Sequence, residues 1–230
     1  MVSFTYGGIS MKKTFAVIGL DVFGLSLCKE LSSLGAQVIA FDKDESAINK
    51  VSDFVTKGAA FDYTNEALLL EMGIKHVDNA IVSISGDIKD SILVTLMLKE
   101  IGIKNIVVEV ENDYHEKVIK KLGVDQTISP SAAAGVRMAK RLMIDSIIDY
   151  YNVDDEYGLY ELQIGHAFPD KELKDLDFRN AYNINIVIIK RGALVIIPKA
   201  TDVLMHDDIV LVVGKHDSIK HFQSVISADE

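Results

Sequence analysis

The sequence predicts an α/β chain: a doubly wound parallel sheet, then a second and smaller α+β unit. Three observations predict it. Short apolar, β-rich runs alternate with helical patterns over roughly the first 130 residues. The helices of that stretch close on glycines, namely Gly73, Gly102 and Gly123. After Pro130 the rhythm changes to one long helical pattern and then to closely spaced strands. A chain of 230 residues with 49% hydrophobic content suits one large domain or two small ones, each with a packed core.

Thr14–Ile18 is short and apolar and reads as the first strand. Gly24–Leu34 follows as a helix, with Leu27, Leu31 and Leu34 at helical spacing. Val38–Phe41 is the next strand and ends at Asp42, and Glu45–Val51 is a short helix. Phe54–Lys57 reads as the third strand and Asn65–Met72 as the helix that Gly73 stops. The series continues with strand Ala80–Ile84, helix Ile88–Glu100, strand Asn105–Val110, helix Tyr114–Leu122 and strand Gln126–Ile128. Ser131–Tyr150 reads as one long helix, apolar at Val136, Ala139, Leu142, Met143, Ile147 and Ile148. That run is apolar on more than one side. It reads as a crossover or dimer-packing helix, or else as the ordinary last helix of the first domain. The acidic, turn-prone Asn152–Tyr157 is the expected linker, which sets domains at 11–150 and 151–230. The second domain carries strands Leu159–Ile164, Ile184–Lys190, Ala193–Ile197 and Ile209–Val213 and a helix over Asp217–Val225.

Composition excludes several functions. A net charge of −10 and a pI near 5.1 leave no basic face for nucleic acid. A single cysteine, Cys28, excludes an internal disulfide and a cysteine-based metal cluster, and its place in a helix pattern reads as a small buried apolar residue. No apolar run approaches the roughly 18–20 residues of a membrane span. The opening MVSFTYGGIS lacks the basic and apolar regions of a secretion signal, so residues 1–10 read as a loose extension before Met11 or as the product of an upstream start codon, and the protein as cytoplasmic. His76, His115, His166, His206, His216 and His221 are scattered without metal-ligand spacing, so no metal site is expected. No nucleophile elbow or acid–base set accompanies them, and the chain is not expected to be an enzyme.

A doubly wound sheet binds ligands beyond the C-terminal ends of its strands. Those ends carry Gly19–Gly24, Asp42-Lys43-Asp44, Asp62-Tyr63-Thr64, Ser83–Asp87 with its Ser85-Gly86-Asp87 loop, and Glu109–Asn112 with Glu111 between. The first of them reads Gly19-Leu20-Asp21-Val22-Phe23-Gly24, a Rossmann-like turn with a carboxylate at the second glycine of G-x-G-x-x-G. Asp42 lies 23 residues after Gly19, close to the spacing of a ribose-binding carboxylate. Asp21 opposes a phosphate. Two unit charges ~4 Å apart cost about 1 kcal/mol in water and about 4 at an effective dielectric near 20, whereas the helix dipole returns only ~0.3–1 kcal/mol. One of Glu109 and Glu111 is expected to face the same crevice, with Lys43 and Lys104 the nearest cations.

The segments FAVIGLDVFG, LCKELSSLGAQVIAFD, EMGIKHVDNAIVSISGD and ILVTLMLKEIGIKNIVVEVENDYHEKVIKKLGVDQTISP, with KDLDFRNAYNINIVIIKRGALVIIPKATDVLMHDDIVLVVG, resemble the regulatory subunits of Ktr/Trk-type potassium uptake systems. The resemblance runs from Lys12 to Phe222 and implies an RCK (KTN) N-terminal domain and a TrkA-C domain. It implies a dimer and an octameric ring beneath a membrane potassium-translocating subunit, at the inner face of the membrane. It further implies an adenine nucleotide (ATP, ADP or NAD) in the N-terminal crevice and cyclic di-AMP between paired C-terminal domains. Gly19, Phe23, Gly24, Asp42 and Ser85–Asp87 keep the family pattern. Asp21 and Val22 stand where members have Gly and Arg, Ser131 where they have Glu, and Glu109 where they have a basic residue. The crevice is therefore expected to hold the adenosine end weakly or to stand empty. Leu173, Asp177, Arg179, Asn185, Ile186 and Pro198 fall on the cyclic di-AMP motif, with Arg179 suited to a phosphate and Asn185 to an adenine edge. An NAD-dependent oxidoreductase and a nucleotide-free scaffold are the rival readings.

Overall fold

The computed structural model describes residues 13–124, 126–143, 147–166 and 168–226. The expected extension at 1–10 lies outside them. The chain divides between Ser131 and Ala132 into two compact units.

In the first unit β1 (Thr14–Ile18), α1 (Val22–Ser33), β2 (Gln37–Asp42), α2 (Glu45–Val51), β3 (Lys57–Ala60), α3 (Glu66–Glu71), β4 (Asn79–Val82), α4 (Ile88–Ile101), β5 (Asn105–Glu109), α5 (Asp113–Lys121) and β6 (Gln126–Ile128) follow one another. The sheet order is β3-β2-β1-β4-β5-β6, all parallel, which is the doubly wound arrangement. Strand β1 shows why both faces are covered. Ala16 and Ile18 enter one core with Phe41, Leu69, Val82, Leu98 and Val108, while Val17 enters the other with Val38, Ala40, Ile48 and Val51. Cys28 is fully buried in that second core, and burial pushes its thiol up to about 12.

The third strand sits three residues later than the sequence pattern predicts. Phe54 and Val55 pack against the core beneath the sheet, and the edge strand Lys57-Gly58-Ala59-Ala60 is placed by its backbone pairing to Ile39–Asp42. Its residues carry little β-propensity, so only the ladder locates it.

The second unit holds most of α6 (Pro130–Met143), then β7 (Ile147–Asn152), β8 (Tyr157–Gln163), β9 (Lys171–Glu172), α7 (Leu173–Leu176), α8 (Phe178–Tyr182), β10 (Ile184–Arg191), β11 (Leu194–Ile196), β12 (Val203–Leu204), β13 (Ile209–Lys215) and α9 (His216–Ile226). The main sheet is antiparallel, ordered β11-β10-β13-β8-β7, and β12 pairs with β9. Strand β13 alternates, with Val210 and Val212 buried against Phe178, Ile219 and Phe222. Arg191 clamps the loop before β13 by a two-pronged pair to the buried Asp208, both bonds at 2.7 Å.

Two sequence expectations fail here. The helix does not run from 131 to 150: its described part ends at Met143, and Ile147–Asn152 is a strand on β8. A bulge between Ile147 and Asp149 breaks the period of two, so IIDYYN does not announce itself as a strand. Asn152–Tyr157 is not a linker but the turn of the β7–β8 hairpin, held by Asp154 Oδ1 accepting from the backbone N–H groups of Glu156 at 2.8 Å and Tyr157 at 2.7 Å. A domain boundary at 150/151 therefore cuts through a strand.

Candidate functional site

The N-terminal crevice is built where β1 turns into α1. Gly19 has φ +89°, and a Cβ there would sit 2.0 Å from the Ser83 carbonyl oxygen. A Cβ on Gly24 would sit 2.3 Å from the Gly19 carbonyl oxygen. The outer two glycines of the turn are thus fixed by packing of helix on strand. Asp21 between them has φ −67° and ψ −172°, an extended conformation that needs no glycine. Val22 turns outward and is 83% exposed.

The Asp21 carboxylate does not project as a bare charge. Its Oδ1 accepts from the Gly24 N–H at 2.9 Å and caps α1. The helix start that would greet an anion already holds one of its own. The Ser83 hydroxyl lies 2.7 Å from Asp21 Oδ1 and 2.7 Å from Glu109 Oε2. One hydroxyl carries one proton, so it donates to one carboxylate at a time. Burial, reinforced by the charges of Asp21 and Glu111, lifts the Glu109 pKa above the ordinary value, against the Ser83 bond that lowers it.

Glu111 also reaches the crevice, its Oε1 accepting from the Gly86 N–H at 2.5 Å. The expectation that only one of the pair would do so is corrected, because Glu111 lies past the end of β5, where strand alternation no longer sets its direction. Asp42 is engaged at both oxygens, accepting from Leu20 N at 2.6 Å and from Asp44 N at 2.8 Å. Asp44, Asp87 and Asn112 each cap a helix, accepting from Ser46 N, from Asp90 N, and from Tyr114 N and His115 N. Four of the polar residues singled out in the sequence, Asp21 among them, thus serve as helix caps. Ser85 is exposed, Phe23 is half-buried and Tyr63 is buried.

Among the described residues the crevice is short of free cations. Lys43 lies 2.5 Å from Asp90 and 3.2 Å from Asp62, with its ammonium 4.8 Å from the Tyr63 ring centre. The Asp90 hydrogen bond leads in holding its pKa well above the ordinary range. Lys104 is not nearby. It precedes β5 and lines a cavity with Lys99 and Gln126, at the N-terminal ends of the strands. Sequence reading missed Ser83 as the bridge, Asp90 as the partner of Lys43, and the buried His115, whose Nδ1 accepts from Glu111 N at 3.4 Å. Position at a strand end was the only signal for Ser83.

The C-terminal unit gathers its candidates from separate elements. Leu173 opens α7, Asp177 joins α7 to α8 at φ +42°, and Arg179 lies on α8. Asn185 and Ile186 lie on β10, and Pro198 follows β11. All six line one open cavity of about 350 Å³. The Arg179 Nε donates to Asn185 Oδ1 at 2.7 Å. Asp177 is occupied by the Asn180 amide, whose Nδ2 donates to its two oxygens at 2.8 and 3.0 Å. Lys199 adds positive charge to the lining, Lys174 is paired with Glu172 at 2.7 Å, and Leu173 and Ile186 add apolar surface. Cations beside apolar faces suit an anionic ligand with flat rings.

Among the described residues no group of three His, Cys, Asp or Glu is placed to hold a metal ion, and no helix is long and apolar enough to cross a membrane. A family model described as the TrkA-N domain matches residues 15–130, and one described as the TrkA-C domain matches 159–227. Ktr system potassium uptake protein C of Bacillus subtilis (strain 168) is 41% identical over 214 residues, 93% of this chain and 97% of that protein. Ktr system potassium uptake protein A of the same strain is 37% identical over 213 residues, 92% of this chain and 96% of that one. Among solved structures, the GsuK channel superposes with a TM-score of 0.67 at 13% identity, over 97% of this chain and 41% of that chain. A GsuK channel bound to NAD gives 0.63 at 13% identity, again over 97% and 41%.

Proposed function

The chain belongs to the Ktr/Trk-type RCK (KTN) family of potassium transport regulators, and from that premise we propose that it senses a cyclic dinucleotide through its C-terminal unit. Its general role is regulatory and not catalytic. The finer reading is that it sits at the cytoplasmic face of a membrane potassium-translocating subunit. There it assembles as dimers and an octameric ring and shifts transport by favouring one ring shape. A ligand does this only through its differential affinity for the two shapes.

One observation carries the ligand assignment: six residues from three separate stretches of chain meet around a single cavity with Arg179 at its wall. Cyclic di-AMP offers phosphates for Arg179 and adenines for Asn185, Leu173 and Ile186. Exposed apolar residues support self-association, with Val136, Met138 and Leu142 on α6 and Leu194, Val195 and Ile197 at the β11 edge. Titration calorimetry with cyclic di-AMP tests the reading. Binding is expected in the native protein and its loss in Arg179→Ala; unchanged affinity in the variant rejects it.

For the N-terminal crevice the reading is weak or absent grip on a triphosphate. The Asp21 cap and the Glu109–Ser83 contact support it. Adenine nucleotide, whether ATP, ADP or NAD, remains the ligand class, in keeping with the NAD-bound channel that shares the fold. Calorimetry with ATP, ADP and NADH is expected to give weak or no heat, and submicromolar ATP binding would falsify this half of the proposal.

A further inference from the structure

The C-terminal unit holds a second cavity that shares no lining residue with the first. It has a volume of about 330 Å³ and opens among β7, β8 and α9. Ile147 and Ile219 form buried walls, and the Tyr150 and Tyr160 rings stack alongside at 5.8 Å with 28° between their planes. The Tyr160 hydroxyl lies 2.5 Å from His216 Nδ1, so those two polar groups satisfy each other. Gln223 completes the lining. It is 6% exposed, and among the described residues its Nε2 has no hydrogen-bond partner.

A buried amide left unpaired forfeits its hydration without recompense, and folded proteins keep few of them. A trapped water is a poor remedy here, because a water needs two to four polar partners and these walls are mostly apolar. The volume lies at the small end of the roughly 300–1,000 Å³ of ligand sites, enough for one or two fused rings. Lys220 stands at the edge, exposed, its ammonium 3.2 Å from Asp217 on the solvent side of α9.

We propose that this cavity binds a small planar aromatic acid, its rings between the isoleucines and the tyrosines and its carboxylate accepting from Gln223 Nε2. The exposed pair with Asp217 is weak, so the Lys220 ammonium can swing to the mouth, and a carboxylate there binds better than the matching neutral amide. The site would give the C-terminal unit a second small-molecule input, chemically unlike a cyclic dinucleotide.

The test uses the full chain with ¹³C-labelled isoleucine methyls, titrated with 2-naphthoate and with 2-naphthamide. The expected result is saturable shifts at Ile147 and Ile219, with Ile81 and Ile106 of the first unit unmoved. Naphthoate should bind at least threefold tighter than naphthamide, and Lys220→Gln should erase that difference. Gln223→Leu keeps the walls and removes the donor, and should weaken both probes at least fivefold; the methyl spectrum reports whether it stays folded. Absence of saturable shifts overturns the proposal, as does undiminished affinity in Gln223→Leu. Shifts at Ile147 and Ile219 that grow with protein concentration alone also overturn it, since a second copy of the chain would then cover the cavity.

Discussion

At Asp21 a single side chain changes what a nucleotide turn can do. Its carboxylate bonds the Gly24 N–H and meets the Ser83 hydroxyl, which Glu109 also approaches. Replacing Asp21 with Gly costs only a few tenths of a kcal/mol as a cap change. The same replacement removes about 1–4 kcal/mol of repulsion toward a phosphate. ATP affinity in Asp21→Gly is therefore expected to rise at least about fivefold by calorimetry; no gain would show that charge at this turn does not limit binding. Glu109 gives a pH signature. Its folded pKa is raised, so the folded state retains the proton to higher pH than the unfolded state does, and the ionised form is penalised above that raised value. Glu109→Gln should raise stability at pH 7.5, because the neutral amide escapes first the burial penalty on the carboxylate and then the repulsion of Asp21 and Glu111. The gain should shrink as pH falls through the raised pKa toward 4.5 and vanish below it. Urea melts at several pH values read this directly, and a pH-independent effect would contradict it.

At the scale of elements, the strand–turn–helix entry is held by close approach rather than by ligand. A methyl on Gly24 meets backbone, the Gly19 carbonyl oxygen at 2.3 Å, which cannot swing aside. Gly24→Ala should cost about 1–3 kcal/mol, the usual penalty of overpacking, by shifting α1 on β1. Gly35→Ala makes a useful contrast. Nothing lies within 4 Å of the added atom, and only the backbone angle of φ +84° is strained. Equal losses of β-sheet stability in the two, measured by hydrogen exchange at Val17 and Ile18, would argue against the packing account.

At the scale of the whole molecule, the division at 131/132 makes the strand β7 part of the second unit's sheet. A fragment of residues 132–230 keeps that strand, whereas 151–230 exposes the flank of β8 and loses Ile147 from the core. The longer fragment should melt cooperatively, and the shorter one should melt at least about 10 °C lower or aggregate, a shift that follows from losing a few kcal/mol in a unit this small. Equal melting by circular dichroism would restore the boundary at 150/151. The sequence by itself determined the alternation of strands and helices, the glycine turn with its misplaced carboxylate, the acidic balance and the family pattern, because these are written in neighbouring residues and in short periods. Tertiary structure decided the rest. Asp21 and Ser83 lie 62 residues apart and meet only because β4 lies beside β1. Ile147–Asn152 became strand rather than helix because β8 offered a ladder to a bulged sequence that fits either form. Leu173, Arg179, Asn185 and Pro198 were singled out by the family pattern, but they come to share a cavity only through packing, since which side chains meet depends on strand order, and strand order is settled by the burial of the whole core.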